Sequence, residues 1–323
     1  MIRKVVSNLK NSAPVTTEFD SKYVLFKGHN GSGKSRLVHG VELGAFDCVV
    51  DAAGKDVKSK THLNATLTDA DEAEAAVLTE PNGGGPWTHV MDECMKAMSS
   101  GTQALCRLLL RHLKDDMPLE LDYAGWDAFV SHHGSYRAAL LEMESTASKA
   151  ARAHRAKLKE LETVRKYLTS EPERAAMGEL SAEVAEKAKR ASDLNKATQA
   201  AMRRFVKEFA PGIEAQMKRW VPEHLHPRLH ILGNEIRLGT NKGAVPSGAE
   251  SVILAMGLAA ALFKPEESIY IFPDRAYDAK TLGAVMRVAR TIPCYGMYIQ
   301  STVFPEDYDA KDLGWHIVDL SSP

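Results

Sequence analysis

Residues 28–35 read Gly28-His29-Asn30-Gly31-Ser32-Gly33-Lys34-Ser35. The pattern is Gly-x-x-x-x-Gly-Lys-Ser, with glycines where a backbone must wrap closely around an anion. The apolar run Val24-Leu25-Phe26 stands before it, and residues 34–45 read as a helix. The expected geometry is therefore a strand, a tight loop and a helix N-terminus. In that geometry loop and first-turn N–H groups converge on a phosphate. Lys34 would neutralise β- and γ-phosphate charge, and the Ser35 hydroxyl would ligate Mg2+. Arg36, next along the helix, is counted with the loop's contacts.

Such a loop needs a carboxylate at the end of a second apolar strand to hold the magnesium. Two stretches offer one. Val90-Met91-Asp92-Glu93 heads a helical region, where its acids also suit a helix N-terminus. Ser268-Ile269-Tyr270-Ile271-Phe272-Pro273-Asp274 has the longer β-rich run, and Asp274 is the preferred ligand. Upstream lies Val245-Pro246-Ser247-Gly248-Ala249-Glu250, then the apolar stretch Val252 to Phe263. A Ser-Gly pair opening a helix is another N-terminus ready for an anion, although any capped helix has this look.

Working outward, the chain divides into three. Residues 1–90 read as strands, turns and one short helix, with Leu63, Ala65 and Leu67 alternating onto one strand face. Residues 91–220 are rich in Ala, Glu, Lys, Arg and Leu and read as helical. Ser170, Pro172 and Glu173 suggest a fresh helix start, Gly178 and Ser181 a second break, and Pro211-Gly212 an end. The expectation is an antiparallel hairpin of two helices of about 30 residues, each ~45 Å long. Residues 221–323 return to strands and helices, beginning with a hairpin around Gly233-Asn234. The order predicts an α/β fold whose two ends join around inserted helices.

Composition sets bounds on function. The 323 residues are 44% hydrophobic and 26% charged, with net charge −1, so no global field draws the chain to nucleic acid or membrane. The longest apolar stretch is too short to span a bilayer, and the first residues lack an apolar signal core. Cys48, Cys94, Cys106 and Cys294 form no Cys-x-x-Cys pair, which speaks against zinc and a disulfide framework and fits a reducing cytoplasm. The neighbouring histidines His132/His133 and His224/His226 lack a third ligand.

Together these pieces resemble the ATPase heads of the SMC, RecF and RecN group of ABC-type P-loop NTPases. Gly28 to Ser35 looks like that group's Gly-x-Asn-Gly-x-Gly-Lys-Ser loop. Pro246-Ser247-Gly248-Ala249-Glu250 looks like its Leu-Ser-Gly-Gly-Glu signature, and Ile269 to Asp274 like its Walker B strand. The resemblance covers about 150 residues at the two ends. It implies an α/β head formed by N- and C-terminal lobes, with an inserted helical region and a short antiparallel coiled-coil arm. It also implies ATP and Mg2+ as ligands and a homodimer that sandwiches two ATP molecules. Ser247, Gly248 and Glu250 would then reach the nucleotide held by the partner head.

The departures bear on turnover. The group has Glu directly after the Walker B Asp, whereas Arg275 stands here and cannot act as a base. Asp278 is the nearest acid. Gln300 stands near the place of the group's switch His and could orient a water. ATP binding with slow hydrolysis is the expectation, the alternative being a structural or assembly protein that holds ATP without meaningful turnover. A RecA- or AAA-like NTPase using Asp92 and Glu93 is a third reading. Residues 141–220 carry 17 Lys/Arg against 12 Asp/Glu, so the arm could bind DNA phosphates without sequence preference, or simply be a solvated helical face.

Overall fold

The computed structural model describes residues 2–9, 15–18, 21–30, 32, 34, 38, 63–69, 88–272, 277–305 and 314–320, of which 2–9, 15–18, 63–69 and 88–89 are described as backbone only. In chain order the strands are β1 (Ile2–Leu9), β2 (Val15–Glu18), β3 (Tyr23–Lys27), β4 (Leu63–Asp69) and β5 (Thr88–His89). Helices α1 (Met91–Ser99), α2 (Thr102–His112), α3 (Trp126–His133), α4 (Tyr136–Arg165) and α5 (Glu171–Met217) follow. The hairpin β6 (Pro227–Leu232) and β7 (Glu235–Thr240), then α6 (Gly248–Leu262), β8 (Ser268–Ile271), α7 (Ala279–Ala289), β9 (Gly296–Ser301) and β10 (His316–Asp319) complete the described elements.

The chain divides into two compact units. One comprises Met1–Ser99, Gly212–His230 and Arg237–Pro323; the other comprises Ser100–Pro211 and Ile231–Ile236. The two ends of the sequence thus share a unit, and the helical stretch forms the bulk of the other. The second unit also takes in Ile231–Ile236, outside the 91–220 span read from the sequence.

The first unit is mixed α/β. β1 pairs antiparallel with both β2 and β4 in a three-stranded sheet. A second sheet has the order β10-β3-β9-β8-β5, with every pairing parallel. β8 and β9 are buried along their whole length, and β3 along all but Lys27. Such continuous burial is what a parallel strand covered on both faces requires, and it explains the unbroken apolar runs in the sequence. α6 is apolar on all sides, with Val252 through Ala260 buried, as befits a helix inside a core. Gly257 permits its close approach to Val221, because a Cβ there would stand 2.3 Å from Val221 Cγ2.

Between β7 and α6 the chain turns tightly. Thr240 N–H donates to Gly243 O at 3.0 Å, and Gly243 N–H donates back to Thr240 O at 3.1 Å. A Cβ on Gly239 would lie 2.3 Å from the Gly243 carbonyl oxygen and 2.8 Å from Ala244 Cα. Those neighbours are backbone atoms with little freedom to yield. Gly239→Ala is therefore expected to cost about 1–3 kcal/mol in urea unfolding, as overpacking in a tight site does. An unchanged midpoint would show that this turn relaxes freely.

The second unit is built on α2 to α5. Ser135 caps α4 through the Ala138 N–H at 3.1 Å, and the Asp116 carboxylate accepts the Tyr136 and Arg137 N–H groups at 2.9 and 3.0 Å. α4 has 30 residues and α5 has 47. Over residues 151–161 of α4 and 181–188 of α5 the less exposed positions follow a three-four rhythm: 151, 154, 158 and 161, and 181, 184 and 188. That repeat of 3.5 residues is the spacing of a two-helix seam. Arg155 Nη2 donates to Ser192 Oγ at 3.4 Å between the two helices. Arg174 closes their connection by donating to the Leu168 and Thr169 carbonyls at 2.9 and 3.2 Å.

Two local expectations fail in α5. The break at Gly178 and Ser181 is absent, because Ser181 Oγ donates to the Met177 carbonyl at 2.7 Å instead of capping a new helix. The end at Pro211-Gly212 is also absent, since the helix runs through Pro211 to Met217. A proline in a helix interior costs ~3 kcal/mol. Burial of Ile213 and Met217, at about 1.5–3 kcal/mol each, offsets that cost. The Glu214 carboxylate, accepting the Leu229 N–H at 2.8 Å, fixes the final turn further.

Candidate phosphate-binding site

The order of the parallel sheet locates a site before any side chain is considered. From β3 the described parallel strands continue at the far edge, β5, return through β8 and β9 to β3, and then cross to its other side as β10. β3 thus lies where the winding reverses, and crevices for ligands form beyond the carboxyl ends of strands at such a reversal. Gly28 immediately follows the carboxyl end of β3.

The ends of the neighbouring strands converge there. Gly28 N–H donates to Ser301 O at the end of β9 at 3.0 Å, and Leu320 N–H, just past β10, donates to Lys27 O at 2.7 Å. Ser32 N–H closes the loop on His29 O at 3.1 Å. The turn is too tight for a side chain at its base: a Cβ on Gly28 would stand 2.3 Å from Ser32 Oγ and 3.2 Å from Leu320 Cβ. Lys34 is already helical, as is Val38. The expected strand, loop and helix onset are thus present over the described positions. His29 and Asn30 are exposed, while Gly31, Gly33, Ser35 and Arg36 lie outside the described residues.

Lys34 is the decisive side chain. It is 3% exposed, and its ammonium donates to the Gly28 carbonyl at 2.8 Å and the His29 carbonyl at 3.0 Å. No carboxylate among the described residues pairs with it. Among the described residues the buried ammonium is held by neutral carbonyls and thus incompletely compensated, since a buried charge ordinarily requires an opposite charge. The Ser32 hydroxyl is also buried without a hydrogen-bond partner among the described residues. Ammonium, orphaned hydroxyl and a loop base closed to side chains together fit an anion with several oxygens.

Gln300 lies beside this loop. It sits on β9 in register with Phe26 of β3, is 5% exposed, and its Nε2 donates to the Phe272 carbonyl at 3.5 Å. Its Oε1 is buried with no partner among the described residues, so it can accept from a water or a ligand.

The two carboxylate candidates separate by position. β8 is two strands from β3, about 10 Å at ordinary ladder spacing, whereas β5 is three strands away, about 14 Å. Phe272 ends the described run after β8, with its N–H on Tyr298 O at 2.9 Å. Asp274 and Arg275 lie outside the described residues. Asp92 opens α1 beyond the edge strand and is paired with Lys96 on the same helix. That local ion pair is what an acid and a base four residues apart on a helix ordinarily form.

The remaining sequence candidates are helix caps. Ser247 and Glu250 form a complete capping box on α6: Ser247 N–H donates to the Glu250 carboxylate at 2.7 Å, and Glu250 N–H donates to Ser247 Oγ at 3.4 Å. The bond from the Ser247 backbone holds the Glu250 carboxyl below the usual carboxylate range. Ser247 and Gly248 remain exposed. Asp278 caps α7 with both oxygens, accepting the Thr281 hydroxyl at 2.6 Å and the Thr281 N–H at 2.8 Å. These bonds lower its pKa, the Thr281 hydroxyl most. The burial of the Ser32 hydroxyl was not legible in the sequence, since nothing in the spacing marks which loop hydroxyl turns inward.

No protein-family model matches this chain, and no curated protein matches it. Among solved structures it is similar to the Smc head domain of Pyrococcus furiosus with an extended coiled coil, bound to the C-terminal domain of ScpA. That likeness has 12% identity and a TM-score of 0.36, covering 94% of this chain and 89% of that one. It is also similar to the recombination mediator protein RecF of the RecFOR pathway in its ATPrS form, at 10% identity and a TM-score of 0.40, covering 96% and 94%. The ATP form of RecF gives 11% identity and a TM-score of 0.38, covering 95% and 93%. No helix among the described residues is long and apolar enough to cross a membrane.

Proposed function

We propose that this chain is an ATP-binding, SMC/RecF-like ATPase head of the reducing cytoplasm, in which bound ATP closes two copies of the head and couples that closure to DNA. The observation that carries the reading is Lys34, a buried ammonium without a described anionic partner, in a loop that matches the phosphate-binding pattern at every fixed position. Lys34 would exchange loop carbonyls for phosphate oxygens, a gain of charge-assisted hydrogen bonds. Ser35 and Asp274 would hold the Mg2+ ion, which supplies charge neutralisation on the phosphate oxygens. Gln300 would orient a water through its unpartnered Oε1. With Arg275 in place of a carboxylate and Asp278 engaged as a cap, a strong base is lacking among these residues, which favours slow turnover. The reading in which ATP is held without turnover rests on the same two residues.

Ser247, exposed at the N-terminus of α6, would supply the contact to the partner head's nucleotide. Its Oγ accepts a bond within the capping box and can still donate its hydroxyl hydrogen outward. The seam between α4 and α5 supports an antiparallel coiled-coil arm, whose basic residues would meet DNA phosphates. Light scattering with and without ATP and Mg2+ tests the closure. An ATP-dependent doubling of mass is expected, lost in Ser247→Arg while ATP affinity stays within about twofold, because Ser247 lies outside the Lys34 loop and loss of its cap bond to the Glu250 N–H costs the helix only about 0.5–2 kcal/mol. Phosphate release separates the two readings: a rate no faster than that of Lys34→Ala, with or without duplex DNA, would leave ATP as a structural ligand.

A further inference from the structure

The helical unit contains a cleft of about 600 Å³ that no residue of the Lys34 loop lines. Its floor is one face of α4, where 138, 141, 145, 148, 149 and 152 succeed one another at helical spacing. α2 contributes Arg107 and Arg111 from one side, and the end of α3 contributes His133.

Charge in the cleft is unbalanced. Arg107, Arg111, Lys149 and Arg152 line it against Glu142 and Glu144. Glu144 is committed: its side chain is 3% exposed and it takes two bonds from Arg107, at 2.8 and 2.5 Å. A buried carboxylate thereby fixes one guanidinium in the wall rather than neutralising Lys149 and Arg152. Glu142 is exposed and accepts the Thr146 hydroxyl at 3.3 Å. Arg152 donates to Ser148 Oγ at 3.0 Å, so a guanidinium and a hydroxyl meet on the floor. Guanidinium groups and hydroxyls converging in a concave site match the tetrahedral oxygens of phosphate. The volume lies within the range of small-ligand sites.

We infer that this cleft binds a phosphate group, carried either by a free polyphosphate or by the backbone of a nucleic acid. The site is independent of the Lys34 loop; only if the source is DNA does it deepen the DNA-binding reading, by naming where on the helical unit a backbone lodges.

The test uses the full chain carrying Lys34→Ala, which removes the competing loop. Tripolyphosphate is titrated calorimetrically, and a fluorescent 20-base-pair DNA is followed by anisotropy at 50 and 200 mM salt. Lys149→Glu with Arg152→Glu is the cleft variant. Lys264→Glu with Arg287→Glu, of equal charge change, exposed, and outside both the cleft and the arm, is the control. The expected result is a loss of about tenfold or more for the cleft pair alone, with the salt slope for DNA falling by roughly two if two phosphate contacts are removed. Loss of tripolyphosphate binding alone identifies a free polyphosphate, and loss of DNA binding identifies a nucleic-acid backbone. Lys149 and Arg152 are both exposed, so the fold is expected to persist, checked by thermal unfolding. If the reversed pair unfolds, Lys149→Gln with Arg152→Gln replaces it. Equal binding by the folded cleft variant and the control, for both probes, overturns the inference. ATP affinity of the chain with Lys34 intact reports separately on the nucleotide reading.

Discussion

Replacing Lys34 by alanine is expected to weaken ATP binding by about 100-fold or more, because hydrogen bonds to charged groups contribute about 1.5–3 kcal/mol each and the ammonium would make at least one to each of two phosphates. The comparison is made with a fluorescent ATP analogue and Mg2+. Folding is expected to survive, since the substitution removes a buried charge together with its desolvation cost. The Gly28 and His29 carbonyls lose a donor, and water at the opened site can replace it. Gly28→Ala provides a control of another kind. Its Cβ would collide with Ser32 and open the loop while Lys34 keeps its charge. If Lys34→Ala binds ATP as the unaltered chain does, the loop is a structural turn and the nucleotide reading falls.

The second large effect concerns stability. Arg107 and Glu144 form one bidentate pair, yet their surroundings differ: the Arg107 side chain is 39% exposed and that of Glu144 is 3% exposed. Removing the arginine strands a buried carboxylate, whereas removing the glutamate leaves a guanidinium that can reach water. Arg107→Ala is therefore expected to destabilise by about 3–5 kcal/mol, and Glu144→Ala by clearly less. The double variant should be more stable than Arg107→Ala alone. Urea unfolding of the three variants measures this order. Equal losses for the two single variants would mean that burial of Glu144 is not what makes the pair necessary.

Legibility in the sequence varied with the range of the interaction. The hairpin around Gly233 was readable because a two-residue turn needs the left-handed backbone, and Gly233 takes it at φ 60°. β8, β9 and α6 were readable because uninterrupted apolar runs have few places to go other than a covered interior. The limits of α5 were not, although the same local rules were applied. Gly178, Ser181 and Pro211 each carry a true local preference for a break, and each preference amounts to only a few kcal/mol. Packing of Ile213 and Met217 in the other unit's core outweighs it at Pro211. The second carboxylate was only ranked by sequence, and strand order supplied the spacing that separates β8 from β5.

By itself the sequence determined the strand and loop at Gly28, the apolar strands around it and the helical character of the middle of the chain. These depend on neighbours within a turn or two, which residue type and spacing encode directly. Only the tertiary structure decided that both ends of the chain share one sheet, that β3 stands at the reversal of its winding, and that Lys34 is buried without a described anionic partner. It also decided that Glu144 and four cationic side chains from separate stretches surround one cleft. Those outcomes depend on which distant segments exclude water together, and burial is a property of the assembled surfaces rather than of any residue's local surroundings.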